Sequence, residues 1–329
     1  MMAFATCIAK NFGSGVQEPP TEASRPKKGK TMLGMSLALL CAFSWSVAVI
    51  LLKVAGTRVH PIMMNLGKNV LGFVLLIPTA LWMDGPLPSE IPQSAWWAMA
   101  ASGFIGIGIA DGLTLLAMRH LSATGIALLE CLFAPFVIVL AVIFFNESVT
   151  LSQSTGGLLI GAALLFTLPK DRQAATESEA APSTQRTILG STLMALGLFT
   201  MAGGIMMVKP VFEQVPLFWI ITVRMGAGVI GSLMLFGCYR QRRQMLGELL
   251  STPNKKLVLA AFITSSYLAI SLWIAGYKYL QAPLAAILNQ TSTIFTVLLA
   301  VFILKERLTI QKVFATLLAT AGVIMISVH

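Results

Sequence analysis

The chain is 329 residues long, 56% apolar and only 11% charged, with 23 basic against 13 acidic residues and a net charge of +10. A soluble domain is about 25% charged, so this composition excludes an ordinary water-soluble enzyme, a disordered protein and a small secreted scaffold. The positive surplus would point to nucleic acid in a soluble protein. Here the basic residues flank apolar runs, the pattern of membrane spans, and nucleic acid drops out as a partner. Cys7, Cys41, Cys131 and Cys238 are far apart and form neither a C-x-x-C pair nor a disulfide framework.

Residues 1–31 read as a flexible tail closing on the basic cluster Arg25, Lys27, Lys28 and Lys30. They lack the charged start, short apolar core and cleavage site of a signal peptide. A bilayer-spanning helix needs about 20 mainly apolar residues. Ten such runs follow, over 32–53, 62–83, 95–117, 121–145, 152–169, 188–208, 217–238, 257–277, 282–304 and 311–328. Helices satisfy every backbone N–H and C=O within the segment, and the alternating ten-residue pattern of a membrane β-barrel is absent. Turn formers mark the breaks, as at His60-Pro61, Asp84-Gly85-Pro86 and Thr252-Pro253-Asn254. The polar stretch 170–187 reads as a linker between halves.

The two halves repeat. Residues 121–150 fall on 280–309 with ten of thirty positions identical, among them Glu147/Glu306 and Thr150/Thr309. The beginnings of the halves align through Leu33/Leu189, Gly34/Gly190, Phe43/Phe199, Lys53/Lys209 and Gly72/Gly228, which sets Lys68 opposite Arg224. Five spans per half is an odd number, so the second half enters the membrane from the other side. The expected fold is an all-α integral membrane protein of ten transmembrane helices in two inverted five-helix repeats, 32–169 and 188–329. Such an architecture is common in secondary transporters, which place the substrate between the halves near the midplane.

Each half ends on a related motif, Phe-Phe-Asn-Glu-Ser-Val-Thr at 144–150 and Ile-Leu-Lys-Glu-Arg-Leu-Thr at 303–309. With the stretch 106–130, these make the chain resemble the EamA family of the drug/metabolite transporter superfamily over about residues 32–328. The resemblance implies ten helices around a central cavity, cytoplasmic termini and a permease that often exports small metabolites. Lys305 and Asn146 depart from the small residue common before the glutamate in that family.

Candidate functional residues are the polar groups inside the apolar runs. Asp111 and Glu130 are the acids that fall well within predicted spans. A carboxylate at the bilayer centre costs at least about 2.5–3.5 kcal/mol, so such groups normally face a cavity or a partner. Proton coupling or recognition of a substrate amine is the functional reading; pairing with a base is the structural one. Glu130 aligns with Asn289, which Gln290 and Thr291 extend into a polar patch. Lys68 and Arg224 lie about one-third of the way into their helices, close enough to the end to snorkel, to pair with Asp111 or Glu130, or to meet an anion. Glu147 and Glu306 close their spans and are expected to serve the local turn. Lys53 and Lys209 fit interfacial anchors. Trp82, Trp96, Trp97 and Trp219 fit an aromatic belt, while Trp45 and Trp273 are mid-span; with Tyr267 and Phe43 they can line a cavity, but core packing or lipid contact is favoured.

Enzyme signals are weak: H-E-x-x-H, G-x-S-x-G and the P-loop are all absent. His60, His120 and His329 sit at span ends or the terminus, so no metal site and no cofactor are expected. Seven basic residues fall on the side of the termini and fourteen on the other, a count that opposes cytoplasmic termini under the positive-inside rule. The cluster just before the first span and the family resemblance favour them. The reading is a secondary transporter of the bacterial inner membrane. It exports a small metabolite such as an amino acid by alternating access, through proton exchange or facilitated diffusion, with substrate and membrane lipid as its partners. A membrane-embedded enzyme or sensor is the alternative class.

Overall fold

The computed structural model describes residues 28–145, 151–152, 155–156, 158–159, 162–163, 184–280, 282–306 and 310–327. The elements in chain order are α1 Lys28–Ala55, α2 Pro61–Met83, α3 Gln93–Met118, α4 Ala123–Glu130 and α5 Phe133–Phe145. The second half holds α6 Thr184–Val208, α7 Leu217–Cys238, α8 Arg242–Ser251, α9 Lys255–Tyr279, α10 Ala282–Leu304 and α11 Ile310–Ser327. No strand occurs among the described residues. The fifth predicted span lies mostly outside them, as do Glu147, the tail and most of the linker.

Seven of the described helical segments are long and apolar enough to cross a membrane, and shorter apolar stretches run over Leu288–Leu304 and Val313–Gly322. Large apolar side chains also cover the outside: Trp82 is 85% exposed, Phe302 77% and Ile310 88%. Water does not tolerate so much contiguous apolar surface, whereas lipid does. The chain is a multi-pass membrane protein.

Local chemistry sets the helix ends. Pro61 opens α2 at a position where its missing N–H is not needed, and His60 Nδ1 accepts from Ile62 N at 3.3 Å. Ser122 caps α4 by accepting from Gly125 N at 3.1 Å. The predicted fourth span is broken where the sequence shows only an unbroken apolar run. α4 stops at Glu130, Cys131 N turns back to Leu128 O at 3.2 Å, and α5 begins at Phe133. Pro135 lacks the N–H that would bond the Cys131 carbonyl, and its ring crowds that carbonyl. The break therefore leaves Glu130 at a helix end inside the protein.

Two helices carry a wider π-helical turn, Phe104–Ile109 in α3 and Thr264–Ala269 in α9. Phe104 and Thr264 are 160 residues apart, within one residue of the 159 that relates 121–150 to 280–309, so the two turns lie at nearly the same place in the third helix of their half. Each packs on a glycine of the second helix of the opposite half. A β-carbon on Gly228 of α7 would lie 2.6 Å from Ile107 Cγ2, and one on Gly72 of α2 would lie 2.6 Å from the Ser266 carbonyl. α1 packs on α9 and α10, and α6 packs on α3. The two halves thus interlock around a central space.

Candidate functional site

A central cavity of about 130 Å³, partly open to the outside, is lined from both halves. Trp45 of α1, Lys68 of α2, Asp111 of α3 and Glu130 of α4 come from the first half. Met194, Leu198 and Met201 of α6, Arg224 of α7, Trp273 of α9, and Asn289 and Gln290 of α10 come from the second. All six polar residues expected in the pathway meet on this one cavity.

They are not equally engaged. Lys68 Nζ pairs with Asp111 Oδ2 at 2.5 Å and also donates to Asn69 Oδ1 at 2.9 Å. Lys68 is 5% exposed, so it does not snorkel. A buried ion pair holds only when its remaining valences are met, and a network behind it does this. Asn69 Nδ2 donates to Ser232 Oγ at 2.8 Å, Asn65 Nδ2 donates to Gly108 O at 2.8 Å, and Ser232 Oγ donates to Gly228 O at 2.8 Å. The network joins α2, α3 and α7. Asn69, which the helical spacing turns away from Lys68, is its contact because the long lysine stem folds across.

Glu130, 7% exposed, is held on one side only. Trp45 Nε1 donates to its Oε1 at 2.8 Å, and Gln290 Nε2 donates to its backbone carbonyl at 3.0 Å. Its Oε2 has no hydrogen-bond partner among the described residues, and neither do Asn289 Nδ2 and Oδ1. Arg224 is 2% exposed, with Nε and Nη1 equally unpartnered, and its guanidinium carbon stands 6.0 Å from the centre of the Trp273 ring. Buried polar groups in proteins are nearly always satisfied. With Ser266 Oγ, four residues lining this one cavity carry unsatisfied polar atoms among the described residues.

Trp45 and Trp273 line this cavity, where the sequence favoured packing or lipid. Phe133 lies 6.1 Å and Tyr277 5.3 Å from Trp273, ring centre to ring centre. An aromatic residue in an apolar run carries no sequence mark of which side it faces. The only available clue was that both tryptophans fall mid-span rather than at the belt.

Other predicted residues lie away from the cavity. The Glu306 carboxylate reaches across to the first residues of α4, accepting from Ala123 N at 2.8 Å, Thr124 N at 3.3 Å and Thr124 Oγ1 at 2.8 Å. It thus caps a helix of the opposite half, at the end where the helix dipole favours an anion. Lys53 Nζ donates to the Met118 carbonyl at 2.6 Å and to the Leu121 carbonyl, closing the α3–α4 turn. Among the described residues no group of three His, Cys, Asp or Glu side chains gathers to hold a metal ion.

The fold and the cavity define a polytopic helical protein with a central cavity between two sequence repeats. The chain belongs to the EamA-like transporter family, whose profile matches residues 32–168 and again 188–328. No curated protein sequence matches it significantly. A crystal structure with 17% sequence identity superposes with a TM-score of 0.61, covering 90% of this chain and 95% of its own, a likeness of fold alone.

Proposed function

We propose that this chain is a secondary transporter of the bacterial inner membrane, exporting a small metabolite such as an amino acid or related compound by alternating access. Its ten helices form two inverted five-helix repeats, with both termini in the cytoplasm. One observation carries the reading. The cavity lies between the two halves, takes residues from each, and holds unsatisfied polar groups that a passing solute can satisfy. Glu130, with a free carboxylate oxygen in that cavity, is the group that couples proton movement to transport. The Lys68–Asp111 pair cements α2 to α3.

Counterflow in proteoliposomes tests this. Vesicles preloaded with members of a metabolite panel should accumulate labelled external solute of at least one class, and protein-free vesicles should not. Failure across a broad panel of small organic solutes sinks the reading. Proton coupling is tested separately with Glu130→Gln, which should lose dependence on an imposed pH gradient; unchanged coupled transport at every pH removes Glu130 from that role.

A further inference from the structure

We infer that Arg224 anchors the carboxylate of a substrate with an apolar body, the carboxylate taking in the second repeat the place that Asp111 holds in the first. The inference deepens the transporter reading and rests on it for the word substrate. The binding site itself is argued from geometry.

Lys68 and Arg224 are equivalent positions of the two repeats. Lys68 has an internal counter-ion, Asp111, which follows the π-helical turn of α3 by two residues. The offset of 159 that sets Ile107, against Gly228, opposite Ser266, against Gly72, places Ile270 where the first repeat has Asp111, and Ile270 also lines the cavity. The second repeat therefore carries the cation without an anion at that position. Arg224 Nε and Nη1 are buried and have no hydrogen-bond partner among the described residues.

The guanidinium cannot escape this situation. Arg224 is 2% exposed, and its backbone is pressed against Gly103 of α3. Trp273 attracts the charge through its ring face but accepts no hydrogen bond. A carboxylate matches the planar donor fork of arginine and makes charge-assisted bonds to it. The remaining charges choose a single negative charge over a dianion. Lys68 is already neutralised, and the Asp111 and Glu130 carboxylates line the same cavity, so a phosphate ester would meet one available cation and two acids. Met194, Leu198, Met201 and Met225 give the same cavity a large apolar wall.

The test uses the purified full-length chain in detergent, with binding read from tryptophan fluorescence and from the shift in unfolding temperature. The probes are 3-phenylpropanoate, its amide, and 3-phenylpropyl phosphate. The unmodified chain should bind the carboxylate saturably and at least about tenfold more tightly than the amide or the phosphate, the factor that about 1.4 kcal/mol of one charge-assisted contact gives. Arg224→Gln should erase the preference for acid over amide. Ile270→Asp, which supplies the missing internal anion on the cavity wall and leaves Arg224 in place, should lower carboxylate binding by a similar factor. The comparison of acid with amide needs no variant, so a failure of Arg224→Gln to fold leaves the test intact. Absence of saturable carboxylate binding, equal binding of acid and amide, preference for the phosphate, or undiminished binding in Ile270→Asp would overturn the proposal. Binding that passes these tests without counterflow leaves the anchor standing and removes the transporter reading. Counterflow of solutes lacking a carboxylate does the reverse.

Discussion

Gly103 lies directly against the backbone of Arg224. A β-carbon on residue 103 would stand 2.0 Å from the Arg224 carbonyl oxygen and 2.6 Å from its Cα. The contact is backbone to backbone, so no rotamer change relieves it, and the position of the cavity arginine depends on a missing side chain on another helix.

Gly103→Ala should therefore destabilise the protein by about 1–3 kcal/mol, the range for overpacking a close contact. It should also weaken any ligand that uses Arg224. Gly237→Ala is the control: nothing lies within 4 Å of the added carbon, and α7 gains helix propensity there. Unfolding temperatures in detergent should move in opposite directions for the two variants. Equal behaviour would show that α3 and α7 can separate freely.

Asp111→Asn leaves Lys68 charged, buried and without its counter-ion. Loss of one partner of a buried pair costs about 3–5 kcal/mol, so this variant should unfold at a clearly lower temperature. Replacing both residues with apolar ones, as in the Lys68→Met, Asp111→Leu double variant, should recover most of the loss. A double-mutant cycle on unfolding temperatures reads the coupling directly. Additive effects would refute a pair held as a unit.

Glu306 and Lys305 offer predictions of opposite sign. Glu306→Ala removes all three hydrogen bonds to Ala123 and Thr124 and should lower stability by about 1–3 kcal/mol, with Glu306→Gln retaining part. Lys305 has φ of 53°, in the left-handed region, where a β-carbon is strained. Lys305→Gly should then stabilise by about 1 kcal/mol. Thermal unfolding in detergent distinguishes the two.

His60 stands at the entry to α2, outside the span. Burial, aided by the nearby Arg119 guanidinium, holds its imidazole below the ordinary value, with Glu248 pulling the other way. The unfolded chain then binds the proton more readily than the folded one. The contribution is present in full above the ordinary imidazole value of about 6.5 and is lost as pH falls below it toward the lowered folded value. His60→Asn keeps a capping acceptor for Ile62 N but does not titrate. It should flatten the decline in unfolding temperature between about pH 7 and pH 5. An unchanged slope assigns the decline to other groups.

Much of the architecture was legible because membrane helices announce themselves as apolar runs. α7 occupies 217–238 and α10 occupies 282–304, the limits read from sequence. The polar cavity residues were legible for the complementary reason, since charges such as Glu130 and Arg224 stand out in apolar runs. What the sequence did not reveal is pairing. That Lys68 takes Asp111 in a direct pair while Arg224 is left with the Trp273 ring and only the more distant field of Asp111 depends on which helices touch. The break after Glu130 was written in Pro135, but composition stays apolar across it. α8 went unnoticed because it is short and polar, with only Met245 fully buried.

The paired π-helical turns bear on the protein's history. A π-helical turn amounts to one residue more than an α-helix of the same rise requires, so each half carries an equivalent extra residue in its third helix. Two insertions at so nearly the same site are a less economical account than inheritance from a single ancestral half. On that account the bulge predates the duplication, while Asp111 and Ile270, which line the cavity at matching positions of the two third helices, record a divergence that came after it.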